Sequence, residues 1–115
     1  MPLSPLAQAV YVVLRARVPS STGEITYGHL SSILPKPFTG VDPHLGLSAP
    51  LGEIVAACQA RGLPPLSSIV VLADAGYPGD GYFQMAYPGV PLGTAMQRWA
   101  ADFARAKATS YPISL

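Results

Sequence analysis

The apolar periodicity of the first 35 residues predicts two helices. Ser4 and Pro5 are residue types preferred at a helix start, and apolar residues then recur at three- and four-residue intervals up to a turn-forming segment, 19–23. A second, shorter helix is predicted to follow Thr26, whose hydroxyl suits a helix cap, and to end before Pro35. Two helices joined by a short connection therefore open the fold.

The periodicity stops at residues 36–47 and then returns in two further helices. Segment 36–47 is rich in glycine and proline and poor in apolar anchors, which predicts a surface loop. A third helix is predicted from Pro50 to Gly62, where glycine favours a left-handed end. A final amphipathic helix covers 92–108, and its aromatic residues at helical spacing are typical of core packing.

Two strands are predicted between the third and the last helix. Residues 67–72 form a β-branched and aliphatic run, and residues 82–87 alternate apolar or aromatic positions with small or polar ones. The glycine-rich segment 73–81 between them predicts a long hairpin connection. This order of elements predicts an α+β, winged-helix-like domain with three helices, a two-stranded β-hairpin wing and an added C-terminal helix, 92–108.

The length and composition predict one domain with an unusually apolar surface. Half of the 115 residues are hydrophobic, which is enough for one core within a single domain, 1–115, and the core elements span 5–87. Charged residues are only 11% of the chain, compared with roughly 25% in an average soluble protein. Exposed apolar surface is typical of contact with a partner or of a homo-oligomer. The net charge of +1 disfavours a dedicated duplex-binding domain, which is usually strongly basic.

The few metal-binding and reactive residue types predict neither a cofactor nor a metal site. Cys58 is the single cysteine, and with only His29 and His44 it cannot form a disulfide framework or a four-ligand zinc site. Asp42, His44, Asp74 and Asp80 could be drawn into a metal site, but they lie near turn-forming residues and are interpreted as loop positions. The first residues resemble neither a signal peptide nor a membrane span, so a cytoplasmic location without a membrane partner is predicted.

Four short sequence motifs in the chain resemble those of a known protein family. They are Gly23-Glu-Ile-Thr-Tyr-Gly-His-Leu30, Pro50-Leu-Gly-Glu-Ile54, Gly62-Leu-Pro-Pro-Leu66 and Ile69-Val-Val71 followed by Gly76. In this order they resemble the winged-helix DNA-binding half of alkylguanine-DNA alkyltransferases and alkyltransferase-like proteins. The resemblance covers about half of the chain.

The resemblance implies a binding protein without alkyl-transfer chemistry. The family's reactive Pro-Cys-His-Arg-Val segment falls on Leu66-Ser-Ser-Ile-Val70, which has no thiolate and no imidazole. The family's base-rotating tyrosine corresponds to Tyr27, whereas its arginine finger falls near Ser48 or Ala49. No catalytic residue is predicted, and the protein is not expected to be an enzyme.

Two functions remain open at this point. In the first, a non-catalytic winged-helix module contacts nucleic acid weakly or as part of a complex. The residues expected to make these contacts are Thr26, Tyr27, His29, Lys36 and Arg61, the last two on phosphates. Clustered cations on the third helix and hairpin would favour this function.

In the alternative, the same scaffold recognises a protein, as expected of an inhibitor or of an accessory factor from a bacterial mobile element or phage. The proline-rich loop and the aromatic hairpin then form the contact surface. The aromatic candidates are Tyr77, Tyr82, Phe83 and Tyr87. A neutral, aromatic face would favour this function.

Overall fold

Five helices and one small parallel sheet make up the part of the chain that the computed structural model describes, residues 3–18, 23–43, 45–113 and 115. The elements in chain order are α1 (Pro5–Arg17), β1 (Ile25–Thr26), α2 (Tyr27–Ile33), α3 (Ser48–Ala60), a 3-10 turn (Leu66–Ile69), β2 (Val70–Val71), α4 (Asp80–Ala86) and α5 (Leu92–Lys107). Strands β1 and β2 run parallel, with Ile25 opposite Val70 and Thr26 opposite Val71. The fold is α+β.

Local capping explains why the predicted helices form where they do. The Ser4 hydroxyl accepts a hydrogen bond from the Ala7 amide, and the Thr26 hydroxyl accepts one from the His29 amide, at 3.3 and 3.2 Å. Gly62 has a φ of +69° just after α3, in the left-handed region that favours glycine. These three predicted helices are confirmed, as is the C-terminal helix. Of the predicted turn at 19–23, only Gly23 lies within the described residues.

The predicted wing hairpin is not present in the described part of the chain. Residues 82–87 were expected to form a return strand, and this prediction is wrong because 80–86 form helix α4. Tyr82 and Phe83 are adjacent and both buried, whereas a strand would point them to opposite faces. The predicted strand 67–72 is reduced to β2, which pairs with β1 in parallel.

The core consists of two clusters that meet at α3. The larger cluster joins α1, α3 and the 3-10 turn through fully buried side chains, among them Leu14, Ile54 and Leu66. The smaller cluster joins α3, α4 and α5 through Val55, Tyr82, Phe83 and Ala95. Helix α3 is therefore packed on several sides. No helix of the described residues is long and apolar enough to cross a bilayer.

Candidate functional site

A pocket of about 340 Å³ opens between the start of α2, the first two turns of α3 and helix α4. This volume lies in the range of pockets that hold small ligands, roughly 300 to 1,000 Å³. Its apolar walls come from Leu51, Val55, Leu72 and Met85. Its polar side chains are Tyr27, Ser48, Ser67, Asp80 and Tyr82. The pocket therefore combines apolar walls with a few polar groups, as ligand-binding sites usually do.

Tyr27 ties the two sides of this pocket together. It is the first residue of α2, and its hydroxyl accepts a hydrogen bond of 2.9 Å from the amide of Gly79, 52 residues away. Burial raises the pKa of the Tyr27 phenol, although the Gly79 hydrogen bond lowers it in part, so the hydroxyl is neutral at physiological pH. The side chain lines the pocket and holds the turn that precedes α4.

Ser67 and Ser68, which the resemblance aligns with a reactive segment, are buried in the 3-10 turn. Ser67 is 2% exposed, and its hydroxyl donates a 2.8 Å hydrogen bond to the Leu51 carbonyl, which joins the 3-10 turn to α3. The Ser68 carbonyl accepts a 2.9 Å hydrogen bond from the Trp99 indole, and the Ser68 hydroxyl is buried without a partner among the described residues. An activated nucleophile requires a neighbouring imidazole or carboxylate as its base. Among the described residues, neither serine hydroxyl makes such a contact.

The charge of the pocket is neutral to acidic. Asp80, exposed in the first turn of α4, is the charged residue among those that line it, and no described lysine, arginine or histidine does so. The described residues also contain no group of three or more metal-ligating side chains; the candidate ligand His44 lies outside them. A phosphate is disfavoured here, whereas an uncharged group with N–H donors suits a carboxylate acceptor.

Three glycines line this pocket, and one of them, Gly52, lies close to Met85. A Cβ atom placed on Gly52 would lie 2.9 Å from the Met85 methyl carbon, and one on Gly79 or Gly81 would lie 3.6 Å from the Tyr27 hydroxyl or 3.5 Å from the Ser48 hydroxyl. Sequence reasoning missed Ser48, Gly52, Asp80 and Met85 as site residues. The available signal was the pair of glycines that flank Asp80 in a segment interpreted as a hairpin.

Comparison of the chain with protein-family models, with curated proteins and with solved structures finds no match. The resemblance to alkyltransferase-like proteins therefore remains a prediction.

Of the residues predicted to contact nucleic acid, only Tyr27 lines the pocket. Thr26, Tyr27 and His29 lie together at the start of α2, where the Thr26 hydroxyl is engaged as the cap and His29 is exposed. Lys36 is exposed in the following loop, and neither it nor Arg61 lines the pocket. Arg61 follows the last residue of α3, about 9 Å along the helix from Val55, the nearest pocket-lining residue of α3.

Helix α3, the expected recognition helix, presents a neutral face. Its 13 residues contain no cation, and its one charged side chain, Glu53, accepts hydrogen bonds from the Ser4 amide and hydroxyl at 2.9 and 2.7 Å. The exposed residues of α3 are small or polar, mostly alanine. A duplex would find few phosphate contacts on this helix.

The predicted aromatic contact surface is largely internal. Tyr82 and Phe83 are each 7% exposed and pack in the smaller core cluster. The hydroxyls of Tyr82 and Tyr87 both donate to the buried carboxylate of Asp102. Burial first, and the Asp102 contact second, raise the pKa of both phenols. The surface predicted for four aromatic residues is thus reduced to Tyr77, 36% exposed, and the half-buried Tyr87.

Proposed function

We propose that the protein is a non-catalytic binding module that contacts nucleic acid by holding one unpaired base in the pocket beside Tyr27. The observation that carries this proposal is the pocket itself, which has apolar walls, a tyrosine side chain and a single carboxylate at Asp80. A nucleobase is flat and uncharged and stacks on apolar and aromatic side chains. The amino groups of cytosine, adenine and guanine are donors suited to a carboxylate acceptor.

The lack of an activated nucleophile supports a binding role. The Ser67 hydroxyl is engaged with the Leu51 carbonyl. Cys58 is fully buried, and this burial raises the pKa of its thiol, which disfavours the reactive thiolate. In this proposal the chain is an alkyltransferase-like, winged-helix-derived unit that keeps the tyrosine of the family and lacks its reactive cysteine.

The neutral face of α3 supports single strands over duplexes as the target. Duplex recognition through a helix in the major groove relies on cations that neutralise phosphates, and α3 carries none. A single strand can offer an unpaired base to the pocket without the cost of opening a duplex. We therefore expect weak binding with a preference for single strands.

The test is an equilibrium titration with a labelled single strand of about twelve nucleotides, a length within the usual site size of single-strand binders. A Gly52→Leu variant places a side chain in the pocket, where the flexible, 51% exposed Met85 side chain can move aside. A Gly93→Leu variant makes the same change on the exposed first turn of α5, where a Cβ atom meets nothing.

We expect Gly52→Leu to weaken binding about tenfold, because a stacked base contributes about 1 to 3 kcal/mol. Gly93→Leu should bind like the wild type. No binding of the strand by the wild type at about 50 mM salt, or equal weakening by both leucine variants, would contradict the proposal.

A protein partner is the second candidate, favoured by apolar residues near the pocket. Leu45 is 82% exposed two residues from the lining residue Pro43, and Met85 is 51% exposed. Exposed apolar side chains around a concave site are typical of protein contacts. Capture of a partner from nuclease-treated extract by the wild type, and its loss in a Met85→Asp variant, would support this candidate.

A further inference from the structure

Three cations gather where the C-terminal ends of α1 and α5 meet. Arg15 and Lys107 line a cavity of about 420 Å³ between these helix ends, together with Tyr111. Arg17 lies in the same last turn of α1 as Arg15. We call the surface formed by Arg15, Arg17 and Lys107 the basic groove.

The side chains of the basic groove are held in place by the main chain around them. The Arg15 Nε donates to the Tyr111 carbonyl at 2.9 Å, and the Arg17 Nε donates to the Glu24 carbonyl at 2.8 Å. The Lys107 stem lies over Gly23 so closely that a Cβ atom there would come within 2.5 Å of Lys107 Cδ. Arg17 and Lys107 therefore contact two consecutive residues, Glu24 and Gly23.

Carboxylates do not neutralise this surface. Among the described residues, the one ion pair joins Arg105 to Asp102 at 4.0 Å. None of the three cations of the groove takes part in it. The Lys107 ammonium lies 4.8 Å from the Phe103 ring centroid. The helix dipoles favour cations at these ends, but two cations that line a cavity, with a third in the same helix turn, also form a surface complementary to a polyanion.

We infer that the basic groove binds the phosphate backbone of the single strand whose base occupies the pocket beside Tyr27. This inference rests on the proposed function, and it assigns the phosphate contacts to a different surface from the one expected at Lys36 and Arg61. The pocket is neutral to acidic and suits a base, whereas the groove is basic and suits phosphates.

Strand β1 connects the two surfaces. Glu24, whose carbonyl holds Arg17, is three residues from Tyr27, so their Cα atoms are at most about 11 Å apart. A strand of several nucleotides covers such a span. In this inference one strand contacts the groove with its backbone and the pocket with a base.

The experiment measures the salt dependence of single-strand binding between about 50 and 200 mM salt, where each phosphate contact on a single strand contributes about −0.7 to the log–log slope. Phosphate contacts by all three cations of the groove predict a log–log slope of about −2, which is roughly a twentyfold loss of affinity between 50 and 200 mM salt. The Arg17→Gln/Lys107→Gln variant should have a slope of about −0.7, or roughly a threefold loss. Arg15 is left unchanged because it donates to the carbonyl of the buried Tyr111, whereas Arg17 donates to the carbonyl of the exposed Glu24.

Two matched variants control for charge and folding. Arg61→Gln/Arg98→Gln removes the same charge from residues outside the groove and should keep the wild-type slope. Arg17→Lys/Lys107→Arg keeps both charges in the groove and should also keep that slope. A thermal melt of each variant checks that it is folded.

The outcomes separate this inference from the proposed function. If the strand binds and Gly52→Leu weakens it, but the Arg61/Arg98 variant loses as much slope as the groove variant, the inference fails and the proposed function stands. If the wild type does not bind the strand at low salt, both fail. Equal or tighter binding of a polyglutamate peptide of the same charge would assign the groove to an acidic protein and overturn the inference.

Discussion

Removing the Tyr27 hydroxyl should destabilise the protein, because this hydroxyl joins two parts of the fold that are far apart in sequence. In a Tyr27→Phe variant the ring remains and the 2.9 Å hydrogen bond from the Gly79 amide is lost. Gly79 is half-buried, so its amide would keep only partial access to water. The variant tests whether the Tyr27 hydroxyl stabilises the fold around the pocket.

The expected loss is about 1.5 kcal/mol in the free energy of unfolding. A net hydrogen bond contributes about 1 kcal/mol, and an amide left partly unsatisfied adds to the loss. With an unfolding entropy of about 2.1 cal/mol/K per residue, 115 residues give about 0.24 kcal/mol/K, so the Tm should fall by about 6 °C.

Urea unfolding followed by circular dichroism, together with a thermal melt, measures this loss. The matched control is Tyr77→Phe, since the Tyr77 hydroxyl has no hydrogen bond to any described residue. The control should unfold within about 0.5 kcal/mol of the wild type. Equal stabilities for the two variants would refute the structural role of the Tyr27 hydroxyl.

Three further predictions concern the rest of the fold. Gly62→Ala should lower the free energy of unfolding by about 1 kcal/mol, because Gly62 has a φ of +69°. Gly93→Ala, where a Cβ atom meets nothing, should raise it by about 0.5 kcal/mol. Urea unfolding measures both variants, and equal effects would contradict the reasoning. Asp102→Ala should lose about 3 kcal/mol, because two largely buried phenols lose their acceptor, and a loss below about 1 kcal/mol would argue against that network. Burial, with Asp102, raises the pKa of Tyr82 and Tyr87 above the ordinary value of 10.0, so the folded protein keeps protons that the unfolded chain loses above that pH. The contribution of these two phenols to the free energy of unfolding should therefore be fully present below pH 10 and fall as the pH rises further. A free energy of unfolding that does not change between about pH 9 and 11 would contradict this prediction.

The helices were predictable from sequence because their signals are local. Ser4, Thr26 and Gly62 act on amides or backbone angles within a few residues, so each residue type indicates its helix end directly. The short segment 82–87 was not predictable in this way. Its apolar residues are compatible with both a strand and a helix, and the packing of Tyr82 and Phe83 near Val55 agrees only with a helix.

The candidate site was only partly predictable because its contacts are distant in sequence. Tyr27 was identified from a short motif, but its partner Gly79 lies 52 residues away. The basic groove brings together residues about ninety positions apart, Arg15 and Lys107, which no local pattern indicates. The sequence instead predicts phosphate contacts at Lys36 and Arg61, neither of which lines the pocket.

A fluorescent base analogue tests the central proposal most directly. A single strand with 2-aminopurine at its centre reports when that base leaves its stack and enters a protein site. We predict a saturable change in 2-aminopurine emission when the wild type is added, and its loss with Gly52→Leu but not with Gly93→Leu. No emission change, or the same change with all three proteins, would contradict the assignment of the pocket to an unpaired base.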